Sequence, residues 1–243
     1  LKNDAVATRY FFNTSGSPFP VGHLLQNPEL ANVLRDVAAH GSKALKEGRW
    51  AQALVNKVRQ HPLRPGAMTL DDVARYTAKK RAPICFDHAV KKTSQEFTIC
   101  GFPPPSSGAL TIGQILGILN HTPAQDLSLE QGLPTSDWLH FYNESSKLAF
   151  ADRAQFVADP DFVKAPGGQW QTLLNPTYLL QRSRLIGPQS MQQAQAGQPG
   201  QAPSAWAPMP HQPEYGTSHI SVIDPWGRAV SMTTTIEASF GSK

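Results

Sequence analysis

The chain has 243 residues, room for one well-cored domain or two small ones, and 40% apolar against 16% charged residues argues against a disordered tail. The net charge of +4 is spread along the chain without a Lys/Arg block or interleaved aromatics, which argues against nucleic-acid binding. No run approaches the roughly 18 apolar residues that a membrane-spanning helix needs. Leu1-Lys2-Asn3-Asp4 contains neither a Met nor a charged-then-apolar leader, so it speaks neither for nor against export.

Asn27-Pro28-Glu29 reads as a helix start: a capping Asn, Pro in the first turn, and an acid at the positive end of the dipole. Leu30, Val33, Leu34 and Val37 then give one apolar stripe, and Gly41 ends it. A second helix is expected from Trp50 to Gln60, with Ala51, Leu54, Val55 and Val58 turned inward. Thr69 with Asp72 forms a capping-box-like start for a short helix through Tyr76. Pro83–Val90 and Gln95–Gly101 read as strands joined by a polar turn. Folded as a hairpin they bring Cys85 and Cys100 opposite each other at disulfide distance; the alternative is two buried free thiols.

Prolines 103–105 hold the next loop extended, and Ser106 or Ser107 then caps an apolar helix from Leu110 to Leu119. A capped helix start explains these serines better than a nucleophile does, since no Gly-x-Ser-x-Gly elbow is present. A long helix is expected over about Ser136 to Val157, stopped by Asp159-Pro160-Asp161. Asp152 and Arg153 within it read as a buried structural pair. From Gly187 to Pro213 the composition turns to Gln, Ala, Pro and Gly with no apolar periodicity, which predicts a mobile linker. With no CxxC, HxxxH or HExxH spacing, no metal site and no cofactor is expected.

After Gly216 the pattern becomes that of a strand pair, Thr217–Asp224 and Arg228–Glu237, around Asp224-Pro225-Trp226-Gly227. Those four residues suit a type I turn whose last residue is left-handed and forms a bulge, a role that fits Gly227. This turn fixes the register: Asp224 opposite Arg228, Val222 opposite Val230, Ile220 opposite Met232, His219 opposite Thr233, and Thr217 opposite Thr235. A two-residue loop would instead put Thr234 opposite Thr217. One face is apolar and the other is lined with hydroxyls. On spacing alone a threonine ladder between good strand formers is the favoured reading of the Thr217–Thr235 pair. Trp226 is expected to pack on the sheet, and His219 to be a structural, hydrogen-bonded residue.

Several stretches resemble the gamma-glutamyltransferase family. They are Phe102-Pro-Pro-Pro-Ser-Ser-Gly108 with Gln114-Ile115-Leu116, then Lys147-Leu-Ala-Phe-Ala-Asp-Arg153 with Asp159–Val163. Gly216-Thr-Ser-His-Ile-Ser-Val-Ile-Asp224 and Gly227–Val230 complete the series. They stand in the family's order and span nearly the whole chain. The resemblance implies an α+β fold: part of a four-layer αββα N-terminal-nucleophile hydrolase sandwich, helix-rich in its first three quarters. It divides the chain into 1–186, the C-terminal part of a large subunit, a linker 187–216, and a small-subunit start at 217–243.

The same resemblance implies a precursor that cuts itself between Gly216 and Thr217. Thr217 becomes the nucleophile and its freed α-amine the base, while Thr235 matches a second threonine that hydrogen-bonds the nucleophile. The implied donor is a gamma-glutamyl amide such as glutathione, with water, an amino acid or a peptide as acceptor. The implied location is periplasmic or secreted, and the partner is the remainder of the same precursor. Glu237 stands where many family members have Asn, at a position that helps hold the donor's α-amino group, so a family acylase with another donor is an alternative. The family's donor-binding Arg, Ser-Ser pair and Gly-Gly oxyanion hole have no match in these 243 residues. The fragment alone is therefore expected to turn over little, and an inactive binding module is the non-enzyme alternative.

Overall fold

The computed structural model describes residues 1–91, 93–200, 207–209, 216–237 and 241. Of the expected linker, residues 201–206 and 210–215 therefore lie outside the described residues, as do 238–240 and 242–243 of the expected small-subunit start. The chain groups into two compact units, Leu1–Lys79 with Gln212–Lys243, and Lys80–His211. A packing boundary thus falls at Lys79/Lys80, inside the stretch 1–186. It lies in a segment, 76–83, that has no helix or strand.

The first unit opens with α1 (Ala5–Phe11), α2 (Pro28–His40), α3 (Lys43–Lys46), α4 (Gly48–Arg59) and α5 (Leu70–Arg75). The expected caps form: Asn27 Oδ1 accepts from Leu30 N at 2.9 Å, and Thr69 and Asp72 cap each other reciprocally. α4 buries Ala51 and Val55 as its stripe requires, but Leu54 stays exposed. α2 buries nothing, and its stripe residues Leu30 and Leu34 are exposed.

The second unit carries the core. β1 (Ile84–Val90) and β2 (Gln95–Gly101) form an antiparallel hairpin that pairs Cys85 with Cys100, and the two are joined as a disulfide. α6 (Gly108–Leu119) is apolar around most of its circumference and lies between the hairpin, α7 (Ser136–Phe156) and α8 (Pro176–Ser183). Leu110 of α6 and Leu173 are almost fully buried in one cluster, and Ile118 of α6 and Leu148 of α7 in another. Close approach is bought by small residues: a Cβ on Gly113 would lie 2.8 Å from Leu174 Cδ2 and 3.0 Å from Phe86 Cε1.

Three local expectations change here. Ser107 occupies the α6 cap position but makes no capping bond, its hydroxyl accepting instead from Arg153 Nε at 2.9 Å, while Ser106 Oγ accepts from Gly108 N at 3.4 Å. Asp152 is buried, yet its ionic partner is Arg182 of α8, because consecutive residues of a helix point in different directions. The stretch from 187 to 200 has no helix or strand, but it is packed rather than free, with Met191, Ala194 and Ala196 against the core clusters. Its low apolar content misled because backbone hydrogen bonds, not periodic side chains, hold it.

Candidate active site

β3 (Ser218–Ile223) and β4 (Ala229–Thr234) pair in the register that the turn residues dictate, with Ser218 opposite Thr234, His219 opposite Thr233 and Val222 opposite Val230. Gly227 N donates to Asp224 O and Asp224 N to Arg228 O, each at 3.0 Å, which is a type I turn closed by a bulge. Gly227 sits at φ +80°, where a side chain is strained. Asp224 locks the corner by accepting from Trp226 N and Arg228 N. Its partial burial favours the neutral acid, but the bonds from Arg228 and Trp226 outweigh that and hold the carboxyl below its usual range. Trp226 does not pack on the sheet; it is 78% exposed, under the Arg228 guanidinium.

The ladder ends at Ser218 opposite Thr234, one residue short of Thr217 and Thr235. Here the Thr235 hydroxyl donates to the Gly216 carbonyl oxygen at 2.9 Å and accepts from Glu237 N at 2.8 Å. The family resemblance implies a bond from Thr235 to the hydroxyl of the nucleophile Thr217. With the Gly216–Thr217 peptide intact, its carbonyl oxygen is the acceptor that Thr235 takes instead. Glu237 reaches back by turning left-handed, at φ +71°. Gly216 is at φ +151°, in backbone space open to glycine. A chain of three groups, amide to hydroxyl to carbonyl, therefore ends on the bond before Thr217.

His219 shares the hydroxyl-bearing face but is already engaged. Its Nδ1 lies 2.8 Å from Thr233 Oγ1 and its Nε2 3.1 Å from Ser231 Oγ. Both ring nitrogens are thus spent across the strand, as expected of a structural histidine. The arrangement offers a threonine hydroxyl at the start of a strand and a polarised carbonyl immediately before it. Among the described residues no cluster of three or more His, Cys, Asp or Glu side chains is disposed to hold a metal, and no helix is long and apolar enough to cross a membrane.

The sequence profile of the family described as Gamma-glutamyltranspeptidase matches residues 1–243, the full length. The chain belongs to the gamma-glutamyltranspeptidase family. It is 30% identical to the glutathione hydrolase proenzyme of Escherichia coli (strain K12) over 235 residues, which is 97% of this chain and 37% of that protein. It is 33% identical to the acylase ACY 1 proenzyme of Pseudomonas sp. (strain SE83), over 93% of this chain and 36% of that protein. Among solved structures, the gamma-glutamyltranspeptidase from Pseudomonas nitroreducens complexed with L-DON superposes with a TM-score of 0.61. That match has 30% identity and covers 78% of this chain and 53% of that one. The chain spans 36–37% of the length of these two curated relatives. Its mixed helix-and-sheet fold is that of a gamma-glutamyltranspeptidase.

What sequence reading missed lies in α7 and α8. Glu144, Asp152 and Arg182 are buried polar groups that each bond a residue of 187–200, and the buried Tyr178 hydroxyl donates to Asp152. Burial, with the Asp152 charge beside it, pushes the Tyr178 hydroxyl far above its usual range, so it remains a donor. The only signal in the sequence is Glu144 and Asp152 eight positions apart on one helix, a spacing that puts both on one face.

Proposed function

We propose that this chain is part of a precursor that cuts itself between Gly216 and Thr217, and that the freed Thr217 then cleaves gamma-glutamyl amides. The observation that carries the reading is the Thr235 hydroxyl on the Gly216 carbonyl oxygen, 2.9 Å away. In the first step Thr217 Oγ attacks the Gly216 carbonyl carbon, and negative charge gathers on the oxygen that Thr235 already holds. The carbon–nitrogen bond breaks, Gly216 becomes an ester on Thr217, and water hydrolyses it. The products are a Gly216 carboxylate and a free Thr217 α-amine. That amine, with an ordinary pKa of about 7.7–8.0, serves as base for its own hydroxyl.

In turnover, Thr217 Oγ attacks the donor's gamma-carbonyl and expels the amine, leaving a gamma-glutamyl ester. Water, an amino acid or a peptide then takes the acyl group. Glutathione is the donor we favour, because the E. coli relative is a glutathione hydrolase proenzyme. Glu237 is assigned to the donor's α-ammonium, which a carboxylate attracts. The mature enzyme joins residues 1–186 and the linker 187–216 to the small-subunit start 217–243 and the rest of the precursor, in a four-layer αββα sandwich. We place it in the periplasm or outside the cell.

A second reading is favoured by Glu237 together with the similarity to the Pseudomonas acylase: the same self-cleavage and ester chemistry applied to a different acyl donor. Both readings are tested first on the full-length gene product by intact mass. Two fragments, the smaller beginning Thr-Ser-His-Ile, are expected, and Thr217→Ala should remain whole. A wild-type chain that stays intact through prolonged incubation refutes both. Glutathione, gamma-glutamyl anilides and longer acyl amides, assayed side by side, then separate the two donors.

A further inference from the structure

Residues 187–200 follow α7 in the same direction along its length. His140 Nε2 meets Gly187 O at 2.8 Å. One turn on, Glu144 accepts from Ser190 Oγ at 2.9 Å and from Met191 N at 2.8 Å, and Lys147 Nζ donates to Met191 O at 2.8 Å. Two turns further, Asp152 accepts from Gly197 N at 2.8 Å, while Arg182 NH2 donates to Gln195 O at 2.7 Å. These contacts cover about 18 Å of helix, twelve residues at about 1.5 Å each.

The two carboxylates have side-chain exposures of 1% and 0%, so their bonds to the segment are made away from water. Asp152 is saturated: its other oxygen accepts from Gln114 Nε2 and Tyr178 Oη, both at 2.7 Å. The segment itself is shaped for the seat. A Cβ on Gly197 would overlap the Tyr178 hydroxyl and lie 2.9 Å from Tyr178 Cε2 and 3.0 Å from Arg182 Cδ. A Cβ on Gly200 would come within 3.2 Å of Gly167 Cα. Composition suggests a linker, but side chains that make sense only with the segment in place argue for a docked strap.

We propose that residues 187–200 are a strap, clasped on α7 and α8 by Glu144, Asp152 and Arg182, that holds the tail of the first fragment after cleavage at Gly216–Thr217. This rests on the self-cleavage reading. Beyond the strap, Met209 N also donates to Ala154 O of α7 at 2.8 Å. Asp152 and Arg182 are positioning residues here and touch no reacting atom.

The test uses the full-length protein, wild type and Thr217→Ala, digested under native conditions by a broad-specificity endoprotease, with cuts mapped by mass. Positions 187–200 should resist in both forms. In Gly197→Ala and Glu144→Ala they should be cut at least about tenfold faster, with helix content by circular dichroism unchanged. A strap cut as fast in self-cleaved wild type as in Gly197→Ala overturns the proposal. Should a variant misfold, hydrogen exchange in the wild type decides: the Met191 and Gly197 amides, bonded to buried carboxylates, must exchange slowly, and rapid exchange sinks the strap. A wild type that never yields a Thr217 fragment removes the retention claim along with the proposed function. Slow exchange at those two amides would still establish docking by itself.

Discussion

Removing the Thr235 hydroxyl isolates its role in self-cleavage. In the uncleaved chain it donates one neutral bond, to the Gly216 carbonyl, worth about 0.5–1.5 kcal/mol. As Thr217 attacks, that oxygen becomes charged and the same bond is worth about 1.5–3 kcal/mol. Only the increase, about 1–2 kcal/mol, lowers the barrier, which corresponds to about a five- to thirtyfold rate effect. Thr235→Val keeps the shape and loses the donor, so it should slow fragment appearance by that factor; Thr235→Ser keeps the donor and should stay near wild type. Thr217→Ala, which removes the attacking atom, should abolish cleavage. The assay is the fraction cleaved against time by gel or intact mass, started from freshly purified precursor. Equal rates for wild type and Thr235→Val, or a Thr235→Ser as slow as Thr235→Val, would refute the assignment.

Cys85→Ser opens a cross-link with a sequence separation of 15, a loop worth up to about 3 kcal/mol, and should lower the melting temperature by several degrees while the β1–β2 ladder persists. Glu144 is favoured as the neutral acid by burial, but bonds from Lys147, Met191 N and Ser190 outweigh this and hold its pKa below the ordinary range. A depressed carboxyl stabilises the fold fully above its unfolded value of about 4.3 and loses that stabilisation as pH falls through the folded value. Protease access to 187–200 should therefore rise only on acidification below about pH 4, and Glu144→Gln should flatten that dependence. Glu237→Asn keeps the backbone bond to Thr235 and removes the charge. Its self-cleavage should match wild type while activity shifts toward gamma-glutamyl donors over other acyl amides, and unchanged donor ratios would detach Glu237 from specificity.

The hairpin was legible because one short turn decides everything downstream of it. Asp224, Pro225 and Gly227 specify a bulged type I turn, and the turn fixes each later pair out to Ser218 opposite Thr234. Local chemistry propagates along a strand with period two, so no tertiary knowledge is needed. The same holds for the Asn27 and Thr69 caps and for α7, whose ends matched the pattern to within a residue. The strap was not legible, because its bonds join backbone atoms of 187–197 to side chains some fifty positions earlier or a dozen earlier, and composition carries no trace of such pairs. The Thr235 bond lies between these cases. Register put Thr235 beside the bond before Thr217, but which of two nearby oxygens it would take depends on whether the peptide is intact. In the uncleaved chain the carbonyl takes it; under the proposed self-cleavage, departure of Gly216 would release the same hydroxyl for Thr217, so one residue would serve the cut first and the nucleophile afterwards.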